Sequence, residues 1–255
     1  MSKFIAQPAH TLNGILKVPG DKSISHRCIM LGSLANGITE VRGFLQGEDA
    51  LATLKAFQSM GVDIQRQGDK VTIHGVGLHG LKKPNAALDL GNSGTSMRLM
   101  SGILAAQDFD SELVGDVSLS KRPMARVIDP LTAMGAVIES NDGKPPLRIK
   151  GGQSLKGIDY VLPVASAQVK SCVLLAGLYA QGDTCVLEGE TTRDHTERML
   201  KGLSYQVTVT SNKMCLTGGG KLTATQFQVP SDISSAAFFM VAGCIAPQAD
   251  ITLEK

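Results

Sequence analysis

The stretch GDKSISHRCIMLGSLANG (residues 20–37) sets the architecture of the chain, because its form returns three more times. It begins with small polar residues and continues as an apolar, Ala- and Gly-rich segment with the spacing of a buried helix. The other copies are GNSGTSMRLMSGILAAQ from Gly91, VASAQVKSCVLLAGLYAQG from Val164 and PSDISSAAFFMVAGCIAPQ from Pro230. The comparable serines are 70, 73 and 68 residues apart: Ser23, Ser93, Ser166 and Ser234. An internal repeat of about 70 residues therefore organises the sequence.

Each repeat continues in the same order after its first helix. The sequence predicts first a strand, at residues 39–44, 111–115 and 184–188. A second helix follows and ends in LKAFQSMG, IDPLTAMG or ERMLKGLS, and two short strands close the unit with VTIHG, LRIKG or MCLTG. Gly61 and Gly135 stand where a left-handed helix end is expected, and Ser204 stands at that place in the third unit.

These patterns predict an α/β fold of three helix-strand-helix-strand-strand units, about 20–90, 91–162 and 163–229, in one globule over residues 20–229. Helices so apolar should lie inside, with the sheets outside. Only the polar starts of the helices would then reach solvent. We call these starts the first opening (residues 20–27), the second opening (91–98) and the third opening (165–171). A helix N-terminus attracts anions, so three that converge would form an anion site.

Composition excludes several classes of protein. The 255 residues have a formal net charge of +2, which argues against a nucleic-acid partner bound by bulk electrostatics. The longest apolar run, residues 236–246, is too short for a membrane span, and the N-terminal MSKFIAQPAH has no signal-peptide pattern. The five cysteines include no CxxC and predict neither a disulfide scaffold nor a zinc site. We expect a cytoplasmic protein.

The first opening combines two cations with a hydroxyl group. Ser23 can cap the helix or bind a ligand oxygen, Arg27 lies four residues later on the same face, and Lys22 stands beside them. A phosphate or carboxylate placed there would meet backbone N–H groups, a hydroxyl and two positive charges. The alternative is an ordinary N-cap with two solvated charges.

The other two openings offer uncharged groups. Gly91 and Gly94 would let a ligand approach the backbone of the second opening, although turn chemistry alone explains most such pairs. No GxxxxGK[ST] motif is present, which disfavours a nucleotide triphosphatase. In the third opening, Ser166, Ala167 and Gln168 suit hydroxyls or phosphate oxygens; the alternative is a Ser166 cap with Gln168 in solvent.

The repeat also aligns charged residues before the second helix of each unit. Arg122 and Arg193 follow their serine markers by 29 and 27 residues, and the first unit has Glu48 and Asp49 at that place. The planar guanidinium group of arginine binds a carboxylate or a phosphate through two parallel hydrogen bonds. Two arginines at equivalent positions beside three openings predict a pocket for more than one anion.

The histidines and cysteines carry no recognisable site pattern. The five histidines lack metal-ligand spacing, and four are expected at the surface or at helix starts: His26, His74, His79 and His195. His10 is isolated. Cys28 and Cys172 lie on apolar helix faces and are expected in the core.

Five motifs together resemble the 5-enolpyruvylshikimate-3-phosphate synthase family, in its bacterial class II form. They are PGDKSISHR (19–27), LGNSGTSMRL (90–99), SKRPMARVIDPL (120–131), ASAQVKSCVLLAGL (165–178) and TRDHTERML (192–200). The resemblance implies a transferase of the shikimate pathway, hence of chorismate and aromatic amino acid biosynthesis, and a target of glyphosate. It would move the enolpyruvyl group of phosphoenolpyruvate to the 5-hydroxyl of shikimate 3-phosphate, as a monomer without metal or cofactor.

The resemblance also implies roles for single residues. Lys22 would be catalytic and contact both substrates. The shikimate 3-phosphate site would add Ser23, Arg27, Ser166, Ala167, Gln168 and Arg193. The phosphoenolpyruvate site would comprise Lys22, Gly94, Arg122 and Gln168.

Family members have a second, similar globule, and the resemblance covers the N-terminal portion of such a chain. Residues 1–19 and 230–255 would be pieces of that second globule, which otherwise holds the acid/base groups. Two alternatives remain. One is the related transferase acting on UDP-N-acetylglucosamine, which has Lys-Asn where this chain has Lys22-Ser23; the other is a non-catalytic anion-binding fragment.

Overall fold

The computed structural model describes residue 3, residue 5 and residues 11–254. His10 and most of residues 1–10 lie outside the described part. The helices are α1 Lys22–Leu34, α2 Glu48–Ser59, α3 Gly94–Leu104, α4 Ala125–Ala133, α5 Ala167–Gly177, α6 His195–Gly202 and α7 Ile233–Ile245, with a 3₁₀ turn at Leu119–Lys121. The strands are β1 Asn13–Lys17, β2 Asn36–Arg42, β3 Asp63–Gln67, β4 Lys70–Val76, β5 Leu88–Asp89, β6 Ser111–Val114, β7 Ile138–Asn141, β8 Lys144–Ile149, β9 Asp159–Val161, β10 Asp183–Leu187, β11 Thr208–Thr210, β12 Lys213–Thr217, β13 Gln226–Gln228 and β14 Asp250–Glu254.

Each repeat forms a four-stranded sheet with the same topology. The orders are β13-β2-β4-β3, β5-β6-β8-β7 and β9-β10-β12-β11, with the first pair parallel and the others antiparallel. In the second and third sheets the parallel strand directly precedes the first helix of the unit. In the first sheet it is β13, from the end of the third repeat, while β1 pairs with β14 instead. The predicted α/β class with its repeated units is confirmed.

The first helices of the repeats, α1, α3 and α5, form the core. Nearly all residues beyond their first turns are buried, because these segments are apolar or small on every side. Gly102 brings α3 and α5 together so closely that a Cβ there would collide with the backbone carbonyl of Cys172. Strands β2 and β4 pack on α1, and β10 and β12 pack on α5, so the sheets lie outside.

The second helix of every repeat ends in the same backbone motif. After α6, the N–H of Tyr205 donates to Leu200 C=O at 2.9 Å, which is the 6→1 bond of a Schellman motif. The residue before this donor has φ of 87° at Gly61, 104° at Gly135 and 64° at Ser204. The predicted left-handed conformation is therefore present in all three units, including the one that has serine there.

One disulfide joins Cys185 and Cys215, a pair that the sequence did not indicate. The two residues are directly opposite in the antiparallel pair β10–β12, with Cα atoms 4.1 Å apart. Their spacing of 30 residues becomes meaningful only once the strand register is known. Cys28 and Cys172 are fully buried, as expected, and burial raises the pKa of both thiols.

Helix α7 differs from the other apolar helices because its side chains are largely exposed. Phe238 is 77% exposed and Ile245 78%, although Ala236 is buried. The helix contacts β14, which lies in the two-stranded sheet with β1. Within residues 11–254, the helices are all too short or too polar to cross a membrane.

Candidate functional site

The first turns of α1, α3 and α5 meet at one end of the helical core. Gln168 Nε2 on α5 donates to Thr95 Oγ1 on α3 at 3.0 Å. Arg27 Nη2 on α1 donates to Ser171 Oγ on α5 at 2.7 Å. The three openings are therefore adjacent, and each adds the partial positive charge of a helix N-terminus. The ligand-binding roles of their residues stay predictions.

Ser23 lies inside the first turn of α1 and does not cap it. The helix begins at Lys22, and Asp21 Oδ1 accepts from the Ile24 N–H at 2.8 Å. The carboxylate holds the capping position because it is the residue directly before the helix. The capping role considered for Ser23 is therefore wrong. Its hydroxyl instead accepts from Arg193 Nη1 at 3.4 Å.

Arg27 is 3% exposed and links three helices. Its Nε donates to Thr196 Oγ1 at 2.7 Å, its Nη1 to the Ser23 carbonyl at 2.9 Å, and its Nη2 to Ser171. Burial lowers the pKa of Arg27 to about 10, although Glu197 opposes this, so the guanidinium stays charged at neutral pH. A solvated charge is therefore the wrong description. Three of the five N–H donors are used, which leaves two for an anion.

Lys22 is oriented by one of the two acids that the repeat alignment had singled out. Its Nζ lies 3.2 Å from Asp49 Oδ2, and half of the Lys22 side chain is exposed. Glu48 and Asp49 belong to the first turn of α2 rather than to the loop before it, whereas Arg122 and Arg193 lie in the corresponding loops. The ion pair keeps the ammonium group at the edge of the first opening.

Gly94 is the first residue of α3 and is buried beneath two guanidinium groups. A Cβ atom at Gly94 would lie 3.1 Å from Arg122 Nη1 and 3.2 Å from Arg98 Nη1. Arg122 also donates to Asn92 Oδ1. Burial lowers the pKa of Arg98, and the charges of Arg122 and Arg126 lower it further. At the second opening, the backbone of Gly94 therefore lies directly beneath two positively charged guanidinium groups.

The third opening is joined to the second through Gln168. Ser166 caps α5, which begins at Ala167. Arg98 Nη1 donates to Gln168 Oε1 at 2.7 Å, while the other end of the amide donates to Thr95. The alternative of a solvent-exposed Gln168 is therefore wrong. One lone pair and one N–H of the amide stay available for a ligand.

His26 lies near the start of α1 and is fully buried, so of its two expected places, the surface or a helix start, the surface is wrong. Its Nδ1 lies 2.7 Å from Thr53 Oγ1 and 3.3 Å from Ser96 Oγ, so it joins the first opening to the second. Burial lowers its pKa to about 4. His195 begins α6 as expected, His74 lies 3.7 Å from Asp63 Oδ2, and His79 packs edge-on against Tyr179. No set of three possible metal ligands occurs among the described residues.

The sequence interpretation missed Arg98 and Lys170. Arg98 stands over the second opening, and Lys170 is a fully buried cation on α5. Lys170 follows the serine marker Ser166 by four residues, as Arg27 follows Ser23, so the repeat did contain this signal. Arg98 had no such counterpart, because its side chain is recognised only by its position over Gly94.

The comparisons with known proteins agree with these features. A sequence profile of the family described as EPSP synthase (3-phosphoshikimate 1-carboxyvinyltransferase) matches residues 6–255. The chain therefore belongs to the EPSP synthase family, and the resemblance inferred from its motifs is confirmed. The related transferase acting on UDP-N-acetylglucosamine is not favoured.

Similar proteins are substantially longer than this chain. A 3-phosphoshikimate 1-carboxyvinyltransferase of Ruthia magnifica is 73% identical over 253 residues, which cover 99% of this chain and 58% of the relative. One from Hydrogenovibrio crunogenus is 64% identical, with coverage of 99% and 58%. The solved EPSP synthase of Acinetobacter baumannii matches with a TM-score of 0.87 and 62% identity, covering 94% of this chain and 55% of that one. The chain thus spans a little more than half the length of these relatives.

Proposed function

We propose that this chain provides the shikimate 3-phosphate half-site, and part of the phosphoenolpyruvate site, of a 3-phosphoshikimate 1-carboxyvinyltransferase. The observation that carries the proposal is the meeting of three helix N-termini beneath several cations. Both substrates carry phosphate and carboxylate groups, which suit guanidinium groups and helix N-termini.

In the proposed reaction, C2 of the enolpyruvyl group exchanges its phosphate-ester oxygen for an ether oxygen. The 5-hydroxyl oxygen of shikimate 3-phosphate bonds to C2 of the enolpyruvyl group, and the bond from C2 to the phosphate oxygen breaks. Inorganic phosphate leaves and carries the proton lost by the hydroxyl. No redox step occurs, and the proposed mechanism uses no metal and no cofactor.

The shikimate 3-phosphate site would lie between the first and third openings. Arg27 and Arg193 would hold the phosphate, since the Ser23 hydroxyl already lies within 3.4 Å of Arg193. Ser166, Ala167 and Gln168 would bind the hydroxyl and phosphate oxygens through their polar side chains and backbone. Lys22 would stand between this substrate and the next as the catalytic cation.

Phosphoenolpyruvate would lie over the second opening. Gly94 lets the ligand approach the helix start, and Arg122 faces that place. Lys22 and Gln168 would complete the contacts, with Gln168 shared between the substrates.

We further propose that residues 20–229 form one globule, while 1–19 and 230–255 belong to a second one. The separate β1–β14 sheet and the exposed apolar face of α7 support this division. The acid/base groups and the second wall of the cleft would come from the rest of that second globule. The whole enzyme would be a cytoplasmic monomer.

Titration calorimetry of the 255-residue chain with shikimate 3-phosphate tests the half-site. We expect a dissociation constant of ~0.1–1 mM, as for an open anion site. Shikimate without its phosphate is the control and should bind more weakly. The absence of heat at millimolar shikimate 3-phosphate would refute the half-site.

Phosphate release from phosphoenolpyruvate tests the division of the chemistry. We expect no turnover from this chain alone, and turnover from a joined protein in which residues 1–255 are followed by the part of the Ruthia magnifica relative beyond the match. A folded joined protein that binds both substrates without turnover would favour the alternative of a non-catalytic anion-binding module.

A further inference from the structure

The third repeat buries three charged side chains to which the proposed reaction gives no role. Lys170 is 1% exposed, and Glu188 and Glu197 are each 3% exposed. The Lys170 ammonium lies 3.1 Å from Glu188 Oε2 and 2.8 Å from Glu197 Oε1. Two carboxylates therefore share one ammonium in the interior. We call these three residues the Lys170 clamp.

The clamp joins the two ends of one loop. Glu188 directly follows β10, and Glu197 lies in the first turn of α6. Residues 189–194 run between them, are largely exposed and include Arg193. Thr192 adds a third attachment, because its hydroxyl donates to Glu188 Oε2 at 2.6 Å. Both ends of the Arg193 loop are thus fixed to a single atom of α5.

The clamp also adjoins the Arg27 network. Thr196, next to Glu197, accepts from Arg27 Nε at 2.7 Å and donates to Ser171 Oγ at 2.8 Å. Ser171 is the residue directly after Lys170 on α5. A shift of the clamp would therefore move the start of α6 relative to both the first and the third openings.

At the start of this loop, Asn212 also holds the Glu188 backbone, accepting from its N–H at 2.9 Å and donating to its C=O at 3.0 Å. The other attachments at the end of the loop are weak within the described part of the chain. Asp194 is the N-cap of α6 but makes no capping hydrogen bond with its side chain. Its ion pair with Arg198 is 3.8 Å long and exposed, so it contributes little. In the second repeat, by contrast, Asp116 accepts from the Leu119 N–H at 2.7 Å and fixes the corresponding loop locally.

Stability alone does not explain a buried group of this kind. Removing charges from water is costly, and apolar replacements of buried ion groups are often neutral or stabilising. Glu197 Oε2 is buried without a hydrogen-bond partner among the described residues, so the group is not fully satisfied. What the clamp does achieve is a fixed place for the Arg193 loop.

We propose that Lys170 is a positioning residue: by holding both ends of loop 189–194, it keeps the Arg193 guanidinium beside Ser23, ready for the phosphate of shikimate 3-phosphate. The ligand in this statement rests on the proposed function, but the positioning of the loop does not. Lys170 itself touches no substrate.

Hydrogen exchange of the unliganded chain tests the positioning. In Lys170→Met, peptides spanning residues 189–194 should exchange ~10-fold faster, while those of α1 and β4 are unchanged. The matched control is Lys213→Met, which removes an exposed ion pair to Asp159 in the same repeat. Unchanged exchange of the loop in a folded Lys170→Met chain would overturn the proposal.

A double-mutant cycle tests whether Lys170 acts through Arg193. Lys170→Met should weaken shikimate 3-phosphate binding ~10-fold in the wild-type background and less than ~2-fold in the Arg193→Gln background. Equal losses in both backgrounds would mean a merely structural role. A wild-type chain that binds no shikimate 3-phosphate would refute the proposed function. The hydrogen-exchange experiment would still test whether Lys170 positions loop 189–194.

Thr192→Val provides a second variant if Lys170→Met fails to fold. It removes one hydrogen bond to Glu188 and leaves the buried charges paired, so the fold should be kept. Its loop should exchange ~3-fold faster, which corresponds to the low end of what one partly buried hydrogen bond contributes. If the loop of this variant exchanges at the wild-type rate, the positioning proposal is wrong.

Discussion

Arg193 and Ser23 are 170 residues apart in the sequence, yet Arg193 Nη1 donates to Ser23 Oγ at 3.4 Å. The contact joins the third repeat to the first. A second contact of the same kind, from Arg98 to Gln168, joins the second repeat to the third. The candidate site is therefore built between repeats, and each unit contributes one side of it.

Arg27 and Arg122 should serve different substrates in the joined protein. Arg122→Ala should raise KM for phosphoenolpyruvate, and Arg27→Ala should raise KM for shikimate 3-phosphate, each by the equivalent of about 2–4 kcal/mol. Only Arg27→Ala should also lower the urea midpoint, because it removes two buried hydrogen bonds, to Thr196 and to Ser171. Equal losses for both substrates in both variants would contradict the assignment.

Gly94→Ala should change how the second opening accepts anions. The added methyl group would press on the guanidinium groups of Arg122 and Arg98, each within 3.2 Å. Glyphosate has a longer skeleton than phosphoenolpyruvate, so the added methyl group should hinder it more. In the joined protein, the inhibition constant for glyphosate should therefore rise far more than KM for phosphoenolpyruvate. Inhibition constants for glyphosate beside KM for phosphoenolpyruvate provide the measurement. Unchanged inhibition would place Gly94 away from the ligand.

His26 should make the chain less stable in mild acid. Its pKa is about 4 in the folded state against 6.5 in the unfolded state, because burial disfavours the charged ring. The charges of Lys22 and Arg27 act in the same direction, and Asp49 opposes them. Between these two pH values the unfolded chain binds the extra proton, so stability present above pH 6.5 is lost as the pH falls, by up to roughly 3 kcal/mol.

Urea unfolding at several pH values measures this loss. His26→Gln should be less stable than wild type at pH 7. Between pH 6.5 and 4, however, its free energy of unfolding should change less with pH than that of wild type. The control is His74→Gln, which replaces a histidine whose side chain is 44% exposed. A profile of His26→Gln as steep as that of wild type would contradict the prediction.

Ser204→Gly should stabilise the chain by about 0.5–1 kcal/mol, because glycine adopts a φ of 64° without the steric cost of a Cβ. Ser204→Ala keeps the Cβ and should give no gain. Gly135→Ala, at the equivalent position with φ of 104°, should destabilise. Urea midpoints of the three variants decide the matter, and a gain in Ser204→Ala equal to that in Ser204→Gly would show that the hydroxyl, not the backbone, is responsible.

Much of the fold could be predicted because each repeat is defined by sequence patterns that extend over only a few neighbouring residues. The apolar helices, the polar openings and the left-handed position at Ser204 each depend on residues close in sequence. The helix starts predicted from the sequence lie near the observed ones, although Asp21 rather than Ser23 caps α1.

The remaining features depend on contacts between distant residues. Burial of His26 follows from its packing against Thr53 and Ser96, and the Cys185–Cys215 pair follows from strand register. The repeat marks the position of Lys170, but it does not show the two carboxylate partners, neither of which is near Lys170 in sequence. A pattern search has no access to such partners.

The place of β13 in the first sheet affects how the chain is made. Strand β2 pairs with β4 on one edge, and its other edge is filled by β13 together with a bridge from Asn36 to Thr223. During synthesis this edge of the first sheet therefore stays open until residues 226–228 have left the ribosome. The first repeat to be translated is the last to be completed, and a nascent chain halted before residue 226 should expose an unpaired strand to chaperones.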